Sequence, residues 1–251
     1  MKKAEMVWIA HERYNEDADV NLICFPYAGG SATYFAPLKS KIDPAINVCP
    51  ILYPGRERNL RNKKIYNTVE EMAVEFVQSC GYLFQKKFAL LGHCTGSLIA
   101  YEIALVAKKL YGVSPVMFFA SSAPAPSYEQ FFPKRAYSDE ELTKQLLDNQ
   151  MIDEEFVQNK AYSTYYLPLM RSDLQMHANY EPKEPYVKME TSVKVLYGDS
   201  DSLFKNKDAI NQWNNFAEHG VTSAVFPGGH FYIDSCREEV GALITNDLCG
   251  R

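Results

Sequence analysis

The chain predicts one α/β domain: a mostly parallel central sheet with helices on both faces and an inserted helical lid. Three observations carry this. Short apolar runs alternate with helical segments along most of the 251 residues. The run Leu-Leu-Gly-His-Cys-Thr-Gly-Ser-Leu, residues 90–98, sets a Gly92-x-Cys94-x-Gly96 step between a strand pattern and a helix pattern. The alternation breaks once, over residues 123–191, and about 70 residues is too long for a simple crossover.

Six strands are expected, at Val20–Phe25, Ile46–Tyr53, Phe88–Leu91, Pro115–Ser121, Val193–Tyr197 and Val221–Phe226. Each is a near-continuous apolar run, as strands covered on both faces are. Thr68-x-x-Glu71 is a capping-box pattern and opens a helix through Phe76 and Val77 toward Gly81. Residues 98–107 have helical character with no Pro or Gly. Pro124, Pro126 and Pro133 interrupt the start of the 123–191 stretch. Ser138-x-x-Glu141 then opens a helix carrying Leu142, Leu146 and Leu147. A second helical stretch runs from about Glu154 to Tyr166, ending near Pro168, and a last helix lies within Cys236–Leu248. Phe131, Phe132, Tyr162, Tyr165, Tyr166, Met170 and Met176 give the insertion an aromatic and thioether content suited to core packing or to an acyl channel.

Composition bounds the function. A hydrophobic share of 47% with 23% charged residues is that of a soluble globular protein. A net charge of −5 gives no reason to expect nucleic-acid binding. No apolar run reaches the ~18 residues that span a bilayer. Glu5, His11, Glu12 and Arg13 interrupt any signal-peptide core, so a cytoplasmic location and no membrane partner are expected. The six cysteines form no C-x-x-C or other metal spacing, and a reduced set is the simplest account. No metal or redox cofactor is expected.

The G-x-C-x-G step is the strand–turn–helix nucleophile motif of α/β-hydrolases with cysteine in the serine position. It places Cys94 on a sharp turn at a helix N-terminus, where the macrodipole favours an anion and thiol pKa values fall. Such a nucleophile needs a base, and the base an orienting group. His230 follows Phe226-Pro227-Gly228-Gly229, directly after a strand, and is the expected base. His219 reads as a helix C-terminal cap, His93 is expected to point away around the turn, and His11 and His177 have no supporting pattern. Val195-Leu196-Tyr197-Gly198-Asp199-Ser200-Asp201 offers two acids past a strand end. Asp201 has the hydrolase spacing, and Asp199 suits a hydrogen bond within the turn. Asp173, in the lid, is unsuited by position. The oxyanion hole needs two amides. Thr95 supplies one, and Ala28, with Tyr27 next, supplies the other from Phe25-Pro26-Tyr27-Ala28-Gly29-Gly30-Ser31. No Walker pattern or G-x-G-x-x-G supports reading Gly29-Gly30 as a phosphate cradle.

Taken with Tyr53-Pro54-Gly55-Arg56-Glu57, Leu167-Pro168-Leu169-Met170-Arg171-Ser172-Asp173 and Gly228-Gly229-His230-Phe231, these segments resemble the type II thioesterases of nonribosomal peptide and polyketide synthesis over about residues 20–235. The resemblance implies an α/β-hydrolase that clears acyl or aminoacyl thioesters from the phosphopantetheine arm of a carrier protein, with Cys94, Asp201 and His230 as triad. The family usually has serine at 94 and methionine at 95. A Cys94 thioester keeps the acyl group activated, so transfer to an amine stands beside hydrolysis, and a non-catalytic carrier-binding module is a third reading. Arg56, Arg58, Arg61, Lys63 and Lys64 form a basic run that suits either an acidic carrier or a solvated loop.

Overall fold

The computed structural model describes residues 8–9, 15, 17–59, 64–128, 137–148 and 152–250. Six strands form one sheet: β1 (Val20–Phe25), β2 (Ile46–Pro50), β3 (Lys87–His93), β4 (Phe118–Ser121), β5 (Val193–Gly198) and β6 (Val221–Phe226). The order is β2-β1-β3-β4-β5-β6, and every neighbouring pair is parallel. Two predicted strands are shorter than expected: β2 ends at Pro50 and β4 starts at Phe118, although the Ile51 and Val116 amides still bond to the neighbouring strands at 2.9 and 2.8 Å.

Eight helices accompany the sheet among the described residues: α1 (Ala36–Lys39), α2 (Val69–Ser79), α3 (Thr95–Tyr111), α4 (Asp139–Asp148), α5 (Glu154–Gln158), α6 (Leu167–Ala178), α7 (Asp208–Asn211) and α8 (Arg237–Cys249). Strand alternation splits the core into two layers. On one face Ile23, Phe25, Leu90 and Phe118 pack with Phe76 of α2 and Ile103 of α3. On the other, Leu22, Cys24, Leu91 and Phe119 pack with Leu38 of α1 and Val240 and Ile244 of α8. Strands β1 to β4 are therefore covered on both sides, which explains their apolar runs, while the edge strand β6 is largely exposed.

The caps expected from sequence form. The Thr68 hydroxyl accepts the Glu71 amide at 3.1 Å. Ser138 and Glu141 satisfy each other's amides at 3.1 and 3.0 Å. Between β4 and β5 the chain departs from the expected single stretch over 154–166. α5 ends at Gln158, a π-helical turn spans Tyr162–Tyr166, and α6 follows at once. Pro168 lies in the first turn of α6 instead of ending a helix, because the amide it lacks is unneeded there. Tyr162, Leu167, Met170 and Leu174 join Leu142 and Leu146 in a small third core above the C-terminal end of the sheet.

Candidate active site

The turn after β3 holds Cys94 at φ +54°, ψ −123°, a conformation few residues with a side chain adopt. The flanking glycines make it possible. A Cβ on Gly92 would lie 2.2 Å from the Ser97 Cα, and one on Gly96 would lie 2.1 Å from the Phe25 carbonyl oxygen. Strand β3, helix α3 and the loop after β1 are thus in backbone contact at this point. The Cys94 amide donates to the Ser121 carbonyl at 2.8 Å, and the Ser97 hydroxyl caps the Gly92 carbonyl at 2.6 Å. The Cys94 side chain is half-buried, at the N-terminus of α3.

The loops after β5 and β6 bring two more predicted residues to the same place. A Cβ on Gly198 would meet the carbonyl oxygens of Gly228 and Gly229 at 2.2 and 2.3 Å, so these loops lie backbone to backbone. His230 Nδ1 donates to Asp201 Oδ2 at 3.1 Å, and both side chains are buried. The second Asp201 oxygen accepts the Leu203 amide at 3.1 Å. His230 Nε2 is buried without a hydrogen bond of ordinary geometry. Its neighbour is Cys94, with which it lines one cavity. Burial pushes the imidazole pKa down, and the opposing effects of Cys94 and Asp201 outweigh it, leaving the pKa raised to about 10. Asp199 accepts from the Ser200 hydroxyl at 2.9 Å and the Gly228 amide at 3.1 Å; it braces the turn and does not touch His230.

Thr95 begins α3 and lines the cavity. Ala28 lies in a turn closed by the Gly30 amide on the Tyr27 carbonyl at 2.8 Å, with Gly29 at φ +72°. It packs in the apolar cluster that Cys94 borders. Neither the Ala28 nor the Thr95 amide donates to a protein acceptor among the described residues. The Tyr27 ring instead packs edge-on against Tyr34 and Phe231, at 5.1 and 4.9 Å between centroids.

The cavity at Cys94 measures about 70 Å³ and is mainly apolar, walled by Leu98, Ala123–Pro126, Tyr128, Leu174, Leu203 and Trp213, with His177 among them. The described aromatic and Met residues of the insertion that suited core packing or an acyl channel do not line this cavity. Tyr162 and Met170 lie in the third core, Tyr165 and Met176 face a separate cavity of about 330 Å³ beside Arg56, and Phe131 and Phe132 lie outside the described residues. The loop after β4 and helix α6, both within the 123–191 stretch, form much of the wall, and Leu98, Leu203 and Trp213 from outside it complete it.

Of the remaining described polar residues singled out from sequence, only Arg56 departs from its reading. His93 is fully buried, and its ring stands 5.4 Å from that of His230; burial, then the charge on His230, holds its pKa well below the usual range. Burial lowers His177 to about 4, so it too is neutral near pH 7. Arg56 is no part of an exposed basic run: its guanidinium is buried against Asp173 of α6. The same Asp173 oxygen accepts the Gly29 amide at 2.7 Å. Lys64 is paired with Glu75, while the Arg58 side chain, Arg61 and Lys63 lie outside the described residues. His219 is exposed, and His11 lies outside the described residues. No cluster of metal-ligating side chains occurs among the described residues.

Comparison with known proteins agrees with this geometry. The family profile described as thioesterase domain matches residues 20–246. Thioesterase PikA5 of Streptomyces venezuelae is 27% identical over 243 residues, covering 96% of this chain and 85% of its own. Gramicidin S biosynthesis protein GrsT of Aneurinibacillus migulanus is 28% identical over 248 residues, covering 96% and 93%. The structure of the type II thioesterase BorB, from the borrelidin biosynthetic cluster, superposes with a TM-score of 0.82 at 28% identity over 96% of this chain and 98% of that one. An elbow after β3, six parallel strands and a family match over nine-tenths of the sequence agree: the chain belongs to the thioesterase family and has the α/β-hydrolase fold.

Proposed function

We propose that this protein is a type II thioesterase of nonribosomal peptide or polyketide synthesis, which hydrolyses acyl groups from the phosphopantetheine arm of a carrier protein through a Cys94 acyl-enzyme. The observation that carries the reading is the His230–Asp201 pair beside a cysteine held on the elbow. The biosynthetic assignment draws on the names of its relatives.

In this mechanism the imidazolium of His230 pairs with the Cys94 thiolate. The sulfur attacks the thioester carbonyl, and the Thr95 and Ala28 amides receive the oxyanion. Collapse breaks the bond to the pantetheine sulfur, which takes the His230 proton and leaves as a thiol. His230, now neutral, takes a proton from water as it attacks the Cys94 thioester. Collapse of that second adduct releases the carboxylic acid and restores the ion pair. Asp201 keeps Nδ1 protonated and Nε2 directed at the sulfur. Protein side chains carry every step, and the reaction needs neither a metal nor a redox cofactor. The helical insertion over 123–191 acts as the lid, in one domain with the sheet, and the partner is an acyl or peptidyl carrier protein.

The test is to incubate the enzyme with acetyl-loaded carrier protein and follow intact masses over time, with and without added amine. Expected are a transient acetyl adduct on Cys94, free acetate and unloaded carrier, and no adduct with Cys94→Ala. Unloading only when amine is present would replace hydrolysis with transfer. An unchanged loaded carrier would end the enzyme reading.

A further inference from the structure

The Cys94 elbow and the His230 loop are separated by more than a hundred residues of chain, and one dipeptide touches both. Ser121 ends β4 and Ser122 follows it. The Ser121 carbonyl accepts the Cys94 amide at 2.8 Å. The Ser121 hydroxyl lies 2.9 Å from His93 Nδ1 and 2.7 Å from the Tyr232 hydroxyl. The Ser122 hydroxyl donates to the His230 carbonyl at 2.7 Å, and the Ser122 amide to the Leu196 carbonyl of β5 at 2.8 Å. All four side chains, of Ser121, Ser122, His93 and Tyr232, are buried.

Two features show that this contact set is specified rather than incidental. Ser122 has φ +45°, in the left-handed region that disfavours a side chain. Such a conformation persists only where surrounding contacts over-determine it. Here they do, because the Ser122 amide is held by strand β5 and its hydroxyl by the His230 loop. The second feature is a continuous hydrogen-bond chain. The Tyr232 hydroxyl meets the Ser121 hydroxyl, Ser121 meets His93 Nδ1, and His93 Nε2 stands 3.4 Å from the Tyr34 hydroxyl. Burial keeps His93 neutral, and the chain runs from β3 through β4 to the His230 loop.

We propose that Ser121 and Ser122 are positioning residues that set the separation and orientation of Cys94 and His230. Ser122 also lines the cavity shared by Cys94 and His230; the positioning acts through the Cys94 amide, the His93 ring and the His230 carbonyl. The inference rests on the reading of Cys94 and His230 as the reacting pair. It adds that the pair is held by β4, the strand lying between β3 and β5, and not by the two loops alone.

Ser122→Gly decides it. Glycine accepts φ +45° without strain, so the variant loses the bond to His230 while folding is not impaired. The measurements are steady-state hydrolysis of butyryl-N-acetylcysteamine, thermal melting, and NMR titration of the His230 ring. The titratable groups against that ring are Cys94, Asp201 and His93, with His177 lining the same cavity. Expected are a melting temperature no lower than the parent's, a kcat reduced roughly tenfold with KM within about twofold, and a His230 midpoint below the parent's; a 1 Å misplacement can bring losses of about 100-fold. Ser121→Ala should move kcat and the His230 midpoint in the same direction. A Ser122→Gly enzyme with parental kcat overturns the inference. So does a kcat loss accompanied by a lower melting temperature and an unmoved His230 titration, since that describes a structural role only. If the parent hydrolyses no thioester, and iodoacetamide fails to label Cys94, the proposed function itself has failed. A parent that does both, beside an unaffected variant, confines the failure to the serines.

Discussion

At position 94 a side chain is carried on backbone that usually demands glycine, and both glycines beside it are occupied to the last ångström. A methyl group on Gly96 has nowhere to go but the Phe25 carbonyl, which belongs to β1 and cannot shift without breaking its ladder. Gly96→Ala should therefore lower stability by about 2–4 kcal/mol in urea unfolding, the range of strain and overpacking effects. A loss below about 0.5 kcal/mol would mean that β1 and α3 yield more easily than their contact implies. Asp201 has a different task at the same scale. Asp201→Asn keeps the size and one hydrogen-bonding atom but removes the charge that favours the imidazolium. The reaction should slow by about 10²–10⁴, with the His230 titration moving down from about 10. Unchanged turnover would remove Asp201 from the mechanism. The remaining cysteines contrast with Cys94. Cys24 and Cys49 are buried thiols whose pKa is pushed up by burial, Cys49 to about 12, and alkylating reagents should pass them by in the folded protein.

At the scale of elements, α6 is tied to the loop after β1 by charge. Asp173 receives the Gly29 amide and the Arg56 guanidinium together, and Arg56 is 3% exposed. With Arg56 buried and Asp173 mostly so, the two charges hold each other in place, and removing one strands the other. Arg56→Met or Asp173→Leu alone should cost about 3–5 kcal/mol in urea unfolding, while the double substitution should recover most of that loss. Additive losses in the double variant would show that the pair is not coupled. This brace corrects the reading of Arg56. Arg56 opens a run of basic residues, which reads as a surface for an acidic carrier or as a solvated loop. Only the approach of α6 to the Tyr53–Asn59 segment brings Asp173 against it and takes the guanidinium out of water.

At the scale of the whole molecule, buried His93 and His230 and half-buried His177 give stability a pH optimum. His177, lowered to about 4, and His93, held below its usual range, bind fewer protons folded than unfolded, so acid favours unfolding as pH falls below about 6.5. His230 has the opposite sign. Raised to about 10, its contribution is complete below about 6.5 and is lost as the pH climbs toward 10. The melting temperature should therefore peak near pH 6.5 and fall on both sides. His177→Leu should flatten the acid side alone. A melting temperature that climbs steadily from pH 6.5 to 10 would contradict the His230 assignment.

The sequence by itself determined the elements and their chemistry. Apolar runs fixed where strands form, because a covered parallel strand must be apolar throughout, and capping boxes at Thr68 and Ser138 fixed where helices start. Gly92-x-Cys94-x-Gly96 located the elbow because its backbone tolerates no side chain on either flank. His230 and Asp201 were legible from their positions just past strand ends. Tertiary structure alone decided what lies between these points. The cavity wall at Trp213 and Leu203, the Arg56–Asp173 brace and the Ser121–Ser122 clamp each depend on segments far apart in the chain. Periodicity and spacing report on neighbours along the backbone. A hydrogen bond from Ser122 to His230, or a charge pair from Arg56 to Asp173, exists only once the sheet has set its strands in order and brought their loops to one end.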